Sequence, residues 1–184
     1  RLPGGFFGVD VFFVISGFLI TRLLIDEHAR NGVIRLRSFW NRRFKRLLPA
    51  LVVVLVAVAI GSRLWLPAWR LGEIRLDGLA SLAYVANWRF VISGQSYFAT
   101  GVPPSPLRHM WSLAIEEQFY VVWPLLVVGI VRLRVADVRR WVGVAATCAA
   151  VASAAWMAIA ASMGMDLSRI YYGTDTRLFA LLGG

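Results

Sequence analysis

The sequence predicts an all-α integral membrane protein, a multi-helix transmembrane bundle. Three observations carry this. The chain of 184 residues is 59% hydrophobic, above the roughly 45–50% of soluble domains. The excess is gathered into blocks near the ~20 residues that span a bilayer as a helix. Basic residues gather between those blocks, where they set topology.

Four apolar blocks stand out: residues 6–25, 47–66, 110–131 and 141–163, the last running on to Met165. A weaker block, 76–92, carries Asp77, Asn87 and Arg89. The first two blocks are separated by Arg30, Arg35, Arg37, Arg42, Arg43, Lys45 and Arg46, and the third is followed by Arg132, Arg134, Arg139 and Arg140. The positive-inside rule makes both loops cytoplasmic. A spanning 76–92 would put them on opposite sides, so that segment is expected to be re-entrant or interfacial, with Pro67–His109 mainly outside. The net charge of +10 is thereby read as topology, not as a nucleic-acid surface. No RNA-binding or zinc motif accompanies it, and no metal is expected. Cys148, alone among Ala and Val, reads as a packing residue.

In the first block, "PGGFFGVDVFFVISGF" places Asp10, Gly17 and Thr21 within about 20° of one helix face. Small residues there allow close helix approach or leave room for a ligand. Asp10 needs a partner, either as a cap in a helix–helix contact or in the bundle interior.

The second block follows "SFWNRRFKRLLPA". As a helix, this stretch lays Phe39, Trp40, Phe44 and Leu47 in the interface, while Arg42, Arg43, Lys45 and Arg46 reach water. Attraction to anionic lipid explains such charge, at about 1 kcal/mol per basic residue. Capture of a multi-phosphate ligand such as coenzyme A explains it equally well. Pro49 lies near the start of the apolar block, where a missing N–H costs least.

In the third block, "LRHMWSLAIEEQFYVVWP" sets charge in an apolar run. Measured from His109 at 100° per residue, Ser112, Glu116, Tyr120 and Trp123 fall within about 60° on one face. Glu117 sits to the side, at about 80°; Trp111, Ile115 and Gln118 point away. His109 and Glu116 are about 10 Å apart along the axis, too far for a direct hydrogen bond. A polar network between helices is one reading. Function is the other, because ionisable groups inside membranes usually serve it, with Glu116 ahead of Glu117.

"PGGFFGVDVFFVISGFLIT", "FWNRRFKRLLPAL" and "SPLRHMWSLAIEEQFYVVWP", in that order and followed by "YYGTDTRLFALLGG", resemble the membrane-bound acyltransferase family 3. The resemblance covers residues 1–184. It implies part of a bundle of about ten helices in a bacterial plasma (inner) membrane. It also implies an O-acyltransferase moving an acyl group, often acetyl, from cytoplasmic acyl-CoA to a hydroxyl of a cell-envelope carbohydrate or similar acceptor. "YYGTDTR" resembles the branch fused to a C-terminal SGNH-type domain.

Carried over by motif, Arg42, Arg43 and Arg46 would handle the phosphates of acyl-CoA, with acetyl-CoA the expected donor. His109 and Glu116 match the conserved polar motif of the catalytic site. Gly4, Gly5, Ser16 and Gly17 match the glycine-rich segment. Asp10, Trp111, Ser112, Glu117 and Tyr120 are expected to bind substrate or support the site. An Arg-x10-His pattern on an earlier helix of the family carries the leading candidate base. This stretch begins after it, so the 184 residues alone are expected to be inactive. A proton-coupled transporter using Asp10, His109 and Glu116 as a relay is the alternative; acyl-CoA binding that is lost on Arg42→Ala/Arg43→Ala separates the two.

Overall fold

The computed structural model describes residues 7–95 and 103–184. Gly4 and Gly5 lie outside the described residues. Within them the chain forms eight α-helices and no strands: α1 Phe7–Asn31, α2 Leu36–Trp65, α3 Ala68–Leu82, α4 Ala86–Ile92, α5 Met110–Arg132, α6 Val138–Ser162, α7 Leu167–Tyr172 and α8 Thr174–Leu182. Four of them, α1, α2, α5 and α6, are long and apolar enough to cross a membrane. The weak segment 76–92 is not one helix. It is the second half of α3, a turn in which Tyr84 takes a left-handed backbone (φ 54°), and α4.

α5 is the central helix. Its apolar stretch is 44% buried, against 11% for α2 and α6. It packs against α1, α4, α6 and α8. Its inward face carries the aromatic core: Trp111 meets Phe13 edge-on at 6.1 Å and Tyr171 at 4.7 Å, while Phe119 stacks on Trp123 at 5.6 Å. The outward residues Val121, Val122 and Leu125 stay exposed, as lipid-facing side chains must in a protein whose solvent on that side is hydrocarbon.

Local chemistry sets the helix ends. Gly32, with φ 69°, ends α1 in the left-handed conformation that glycine adopts without a Cβ penalty, and its N–H reaches back to the His28 carbonyl at 2.8 Å. Asp137 caps α6 by accepting from the Arg140 N–H at 2.9 Å. Asp166 caps α7 through the Ser168 and Arg169 N–H groups. The proline-rich run into α5 is closed by turns from Ser105 to Arg108 and Leu107 to Met110.

α2 corrects one expectation. The basic run and the second apolar block form one uninterrupted helix from Leu36. Pro49 therefore lies inside α2 rather than near its start. There it withholds a main-chain hydrogen bond from the ladder.

α8 returns along α1. Gly17 makes this possible: a Cβ there would run into the backbone carbonyl of Leu181. The close approach anticipated for the Asp10–Gly17–Thr21 face is thus made with α8, and Asp10 finds its partner there too. Arg177 Nη1 donates to Asp10 Oδ1 at 2.9 Å.

Candidate active site

The polar stripe of α5 meets α1 and α2 about midway through the bundle. Glu116 and Tyr120 are both buried, at 5% exposure each, one turn apart on one face. The Tyr120 hydroxyl donates to Glu116 Oε1 at 2.6 Å. Ser16 of α1, also buried, donates to the same carboxylate oxygen and lies in hydrogen-bond contact with the Tyr120 hydroxyl. One acid oxygen thus gathers two hydroxyl donors in an apolar surround. Tyr120 sits roughly 15 Å from the start of α5, near the middle of the helix.

α2 supplies the cation. Arg43 was expected to reach water with its neighbours; instead it turns inward. Its guanidinium lies 3.8 Å from the Tyr120 ring centroid and 5.2 Å from that of Phe39. The reason is local geometry. Phe39 is one turn before Arg43 and buried at 2%, and Trp40 Nε1 donates to the Tyr120 main-chain carbonyl at 2.9 Å. Together they dock this turn of α2 on α5, and a cation in that position gains from two ring faces. Arg42 and Arg46 remain exposed, with Arg42 Nη1 donating to Ser38 Oγ at 2.6 Å.

These groups share one cavity of about 340 Å³. Arg42, Arg43 and Arg46 wall it on the α2 side, and Ser16, Glu116 and Tyr120 on the other; Leu19, Leu23 and Leu47 give it apolar flanks. Cationic donors at one part, an apolar passage and a hydroxyl–carboxylate cluster at another suit a ligand with a polyanionic head and an apolar arm. The cluster itself can take and return a proton. Among the described residues no group of His, Cys, Asp and Glu could hold a metal ion.

His109 is not part of this cluster. It is exposed at the N-terminus of α5, and its main-chain carbonyl accepts from Ser112 Oγ at 3.3 Å. Trp111 is buried in the aromatic core. Glu117 is buried as well, at 8%, but on the other side of Arg43. It lines a separate apolar cavity of about 530 Å³ with Tyr84, Gln118 and Val121, and its Oε1 has no hydrogen-bond partner among the described residues.

Sequence reasoning missed a second polar set. Gln118 Nε2 donates to the Tyr84 carbonyl at 2.8 Å and to Asn87 Oδ1 at 3.0 Å, while its Oε1 accepts from Thr174 Oγ1 at 2.6 Å. Asn87 Nδ2 donates in turn to the Tyr172 carbonyl at 3.0 Å. This network ties α4, α5 and the α7–α8 corner behind the site. The only signals for it were Asn87 in the weak segment and Gln118 on the far side of α5.

The family described as an acyltransferase domain, acyltransferase 3, matches residues 3–184. The peptidoglycan O-acetyltransferase OatA of Listeria monocytogenes is 46% identical over 181 residues, which cover 98% of this chain and 29% of that protein. A Staphylococcus aureus (strain COL) protein, provisionally named as an O-acetyltransferase, is 44% identical over 183 residues, 100% of this chain and 30% of its own. YrhL of Bacillus subtilis, provisionally named as a peptidoglycan O-acetyltransferase, is 42% identical over 182 residues, 98% and 28%. No solved structure matches the chain. The chain spans under a third of the length of these relatives. A match running from residue 3 to residue 184 nevertheless identifies it: the chain belongs to the acyltransferase 3 family.

Proposed function

We propose that this chain is part of a bacterial multi-pass membrane O-acyltransferase that transfers an acyl group, acetyl first among them, from acyl-CoA to a hydroxyl of a cell-envelope carbohydrate. The single observation that carries the reading is the shared cavity. It joins three arginines of one helix to a buried carboxylate–hydroxyl cluster midway along another.

The residues present fit the donor. Arg42 and Arg46 are exposed guanidiniums suited to phosphate oxygens. Leu19, Leu23 and Leu47 suit the apolar arm. When bound, the donor supplies an activated thioester. Glu116 would shuttle the proton that the family's candidate base takes from the attacking hydroxyl, and Tyr120 and Ser16 would hold the carboxylate in place for it. Arg43 would offset the charge that builds up beside Tyr120. Across the reaction a C–S and an O–H bond break, an ester C–O bond forms, and the thiol leaves with the proton.

In this reading the Arg42–Arg46 end faces the cytoplasm of the plasma membrane, and His109 meets the acceptor at the opposite end of α5. A fused SGNH-type domain would then receive or pass on the acyl group outside. The names of the relatives, peptidoglycan O-acetyltransferases among them, support the acceptor class.

The test uses the full-length protein in nanodiscs with radiolabelled acetyl-CoA. Glu116→Gln is expected to lower kcat by about 100-fold or more, the usual range for general acid–base catalysis, with KM for acetyl-CoA nearly unchanged. Arg42→Ala/Arg46→Ala is expected to raise that KM while sparing kcat. Full turnover in Glu116→Gln removes Glu116 from the chemistry. Absence of acetyl-CoA cleavage by the wild type overturns the reading.

A further inference from the structure

A second polar cavity lies at the opposite end of α2 from Arg42 and Arg46. Its volume is about 260 Å³, and its walls include Trp69, Arg70, Glu73 and Asp77 of α3, with Gln95 and Arg108. Arg42 and Trp65 are about 34 Å apart along α2, close to the ~30 Å of a bilayer's hydrocarbon core. A membrane crossed by α2 therefore has the two cavities at its two faces.

The chemistry of this cavity differs from that of the first. It holds two carboxylates, an amide and an indole beside the guanidiniums of Arg70 and Arg108, rather than a run of cations on one helix. Trp69, Glu73 and Asp77 recur every four residues and so share one face of α3. Asp77 is fully buried. Its Oδ2 accepts from Gln95 Nε2 at 3.3 Å, while Oδ1 lies 3.4 Å from Arg89 Nε yet receives no hydrogen bond. Glu73, one turn earlier, is exposed. Trp69, a further turn earlier, is 78% exposed. Arg70 donates to the Pro103 and Pro104 carbonyls at 2.8 and 3.3 Å, which fixes the wall.

A flat indole beside carboxylate acceptors and an amide is a set that takes a pyranose ring. The ring's C–H face packs on the indole, and its hydroxyls donate to the exposed Glu73 carboxylate, which binds more strongly than a neutral acceptor. Anchoring at the membrane interface accounts for an exposed tryptophan such as Trp65, 80% exposed at the end of α2. Trp69 differs because it walls a cavity on the face that carries two acids.

We propose that this cavity is a docking subsite for one sugar residue of a glycan acceptor, a proposal that rests on the acyltransferase reading above. Arg108 stands about 12 Å before Glu116 along the run into α5. The docked sugar is therefore not the one acylated. It holds the glycan while another part of the acceptor approaches the site.

The test is calorimetric titration of the full-length protein in nanodiscs with chitotetraose, alongside acetyl-CoA hydrolysis without acceptor. Trp69→Ala and Glu73→Gln each weaken chitotetraose binding about tenfold or more and leave acetyl-CoA hydrolysis within about twofold of wild type. Both residues are exposed, so the fold is expected to survive. Trp65→Ala changes neither readout. No chitotetraose binding by the wild type, or equal affinity in wild type and variants, overturns the subsite. Equal weakening by Trp65→Ala also overturns it, because that marks a membrane anchor. Intact hydrolysis with unmoved affinity sinks the subsite alone; absent hydrolysis sinks the acyltransferase reading and the subsite with it.

Discussion

Glu116, Tyr120 and Ser16 show what a single buried acid requires. In hydrocarbon an unpaired carboxylate is costly, and Glu116 is surrounded by two hydroxyl donors and, through Tyr120, a guanidinium. Part of this was legible in the sequence. Glu116 and Tyr120 are four residues apart, so any helix pairs them. Ser16 is 100 residues away from Glu116, and no local period can find that contact. The Asp10–Arg177 pair, 167 residues apart, was illegible for the same reason, although Asp10 itself was marked as needing a partner. Gly17 offers the sharpest residue-scale test. Gly17→Ala drives a methyl group into the Leu181 carbonyl, and because backbone cannot rotate away, the expected loss is about 1–3 kcal/mol, the usual range for overpacking. Thermal unfolding of the full-length protein in detergent measures it. A melting temperature equal to wild type would mean that α1 and α8 do not approach this closely.

At the scale of elements, the long helices were legible because a run of ~20 apolar residues depends on composition alone. Their true starts were not. α2 begins among charged residues, where hydropathy is silent, and that misplaced Pro49. Arg43 was misread although its stretch was read as a helix, because the docking of Phe39 and Trp40 on α5, which draws Arg43 inward, is a long-range contact. The short helices α7 and α8 lie below any apolar-run threshold; polar contacts hold their corner. Arg169 donates to both oxygens of Asp175, at 2.9 and 2.8 Å, and Trp156 Nε1 donates to Oδ2 at 2.7 Å. Burial acts to raise the Asp175 carboxyl, but the Arg169 guanidinium, the Trp156 indole and the Thr176 backbone outweigh it and hold the carboxyl below its ordinary value. A depressed native pKa stabilises the fold above the unfolded value of about 3.9, and that contribution is lost as pH falls through the native value. Asp175→Asn is therefore expected to melt below wild type at pH 7. The gap should close as the pH is lowered beyond about 4. A gap that stays constant down to pH 3 would separate the corner's stability from the charge of Asp175.

At the scale of the whole molecule, the order of the helices sets the sides. On the proposal that α1, α2, α5 and α6 each cross the membrane, the α1–α2 and α5–α6 connections lie at one face, and α3, α4 and the α6–α7 turn at the other. The basic clusters around Arg35–Arg46 and Arg132–Arg140 then fall together, as the positive-inside rule requires. The two cavities fall apart, with the arginine-lined one opening near the middle of the bundle from the basic side and the Trp69 cavity at the far end. Under the proposed function, in which donor and acceptor are kept apart by a membrane, this division would give each its own polar entrance, with the proton-handling cluster between them. Single cysteines placed in an otherwise cysteine-free full-length protein test the arrangement in whole cells. Arg35→Cys and Ala136→Cys are expected to resist a membrane-impermeant maleimide until the cells are opened. Gly72→Cys, where the added side chain meets nothing within 4 Å, and Met163→Cys, whose parent side chain is 70% exposed, are expected to label at once. Labelling of Arg35→Cys in intact cells would place the basic end outside and leave Arg42 and Arg46 without access to a cytoplasmic donor.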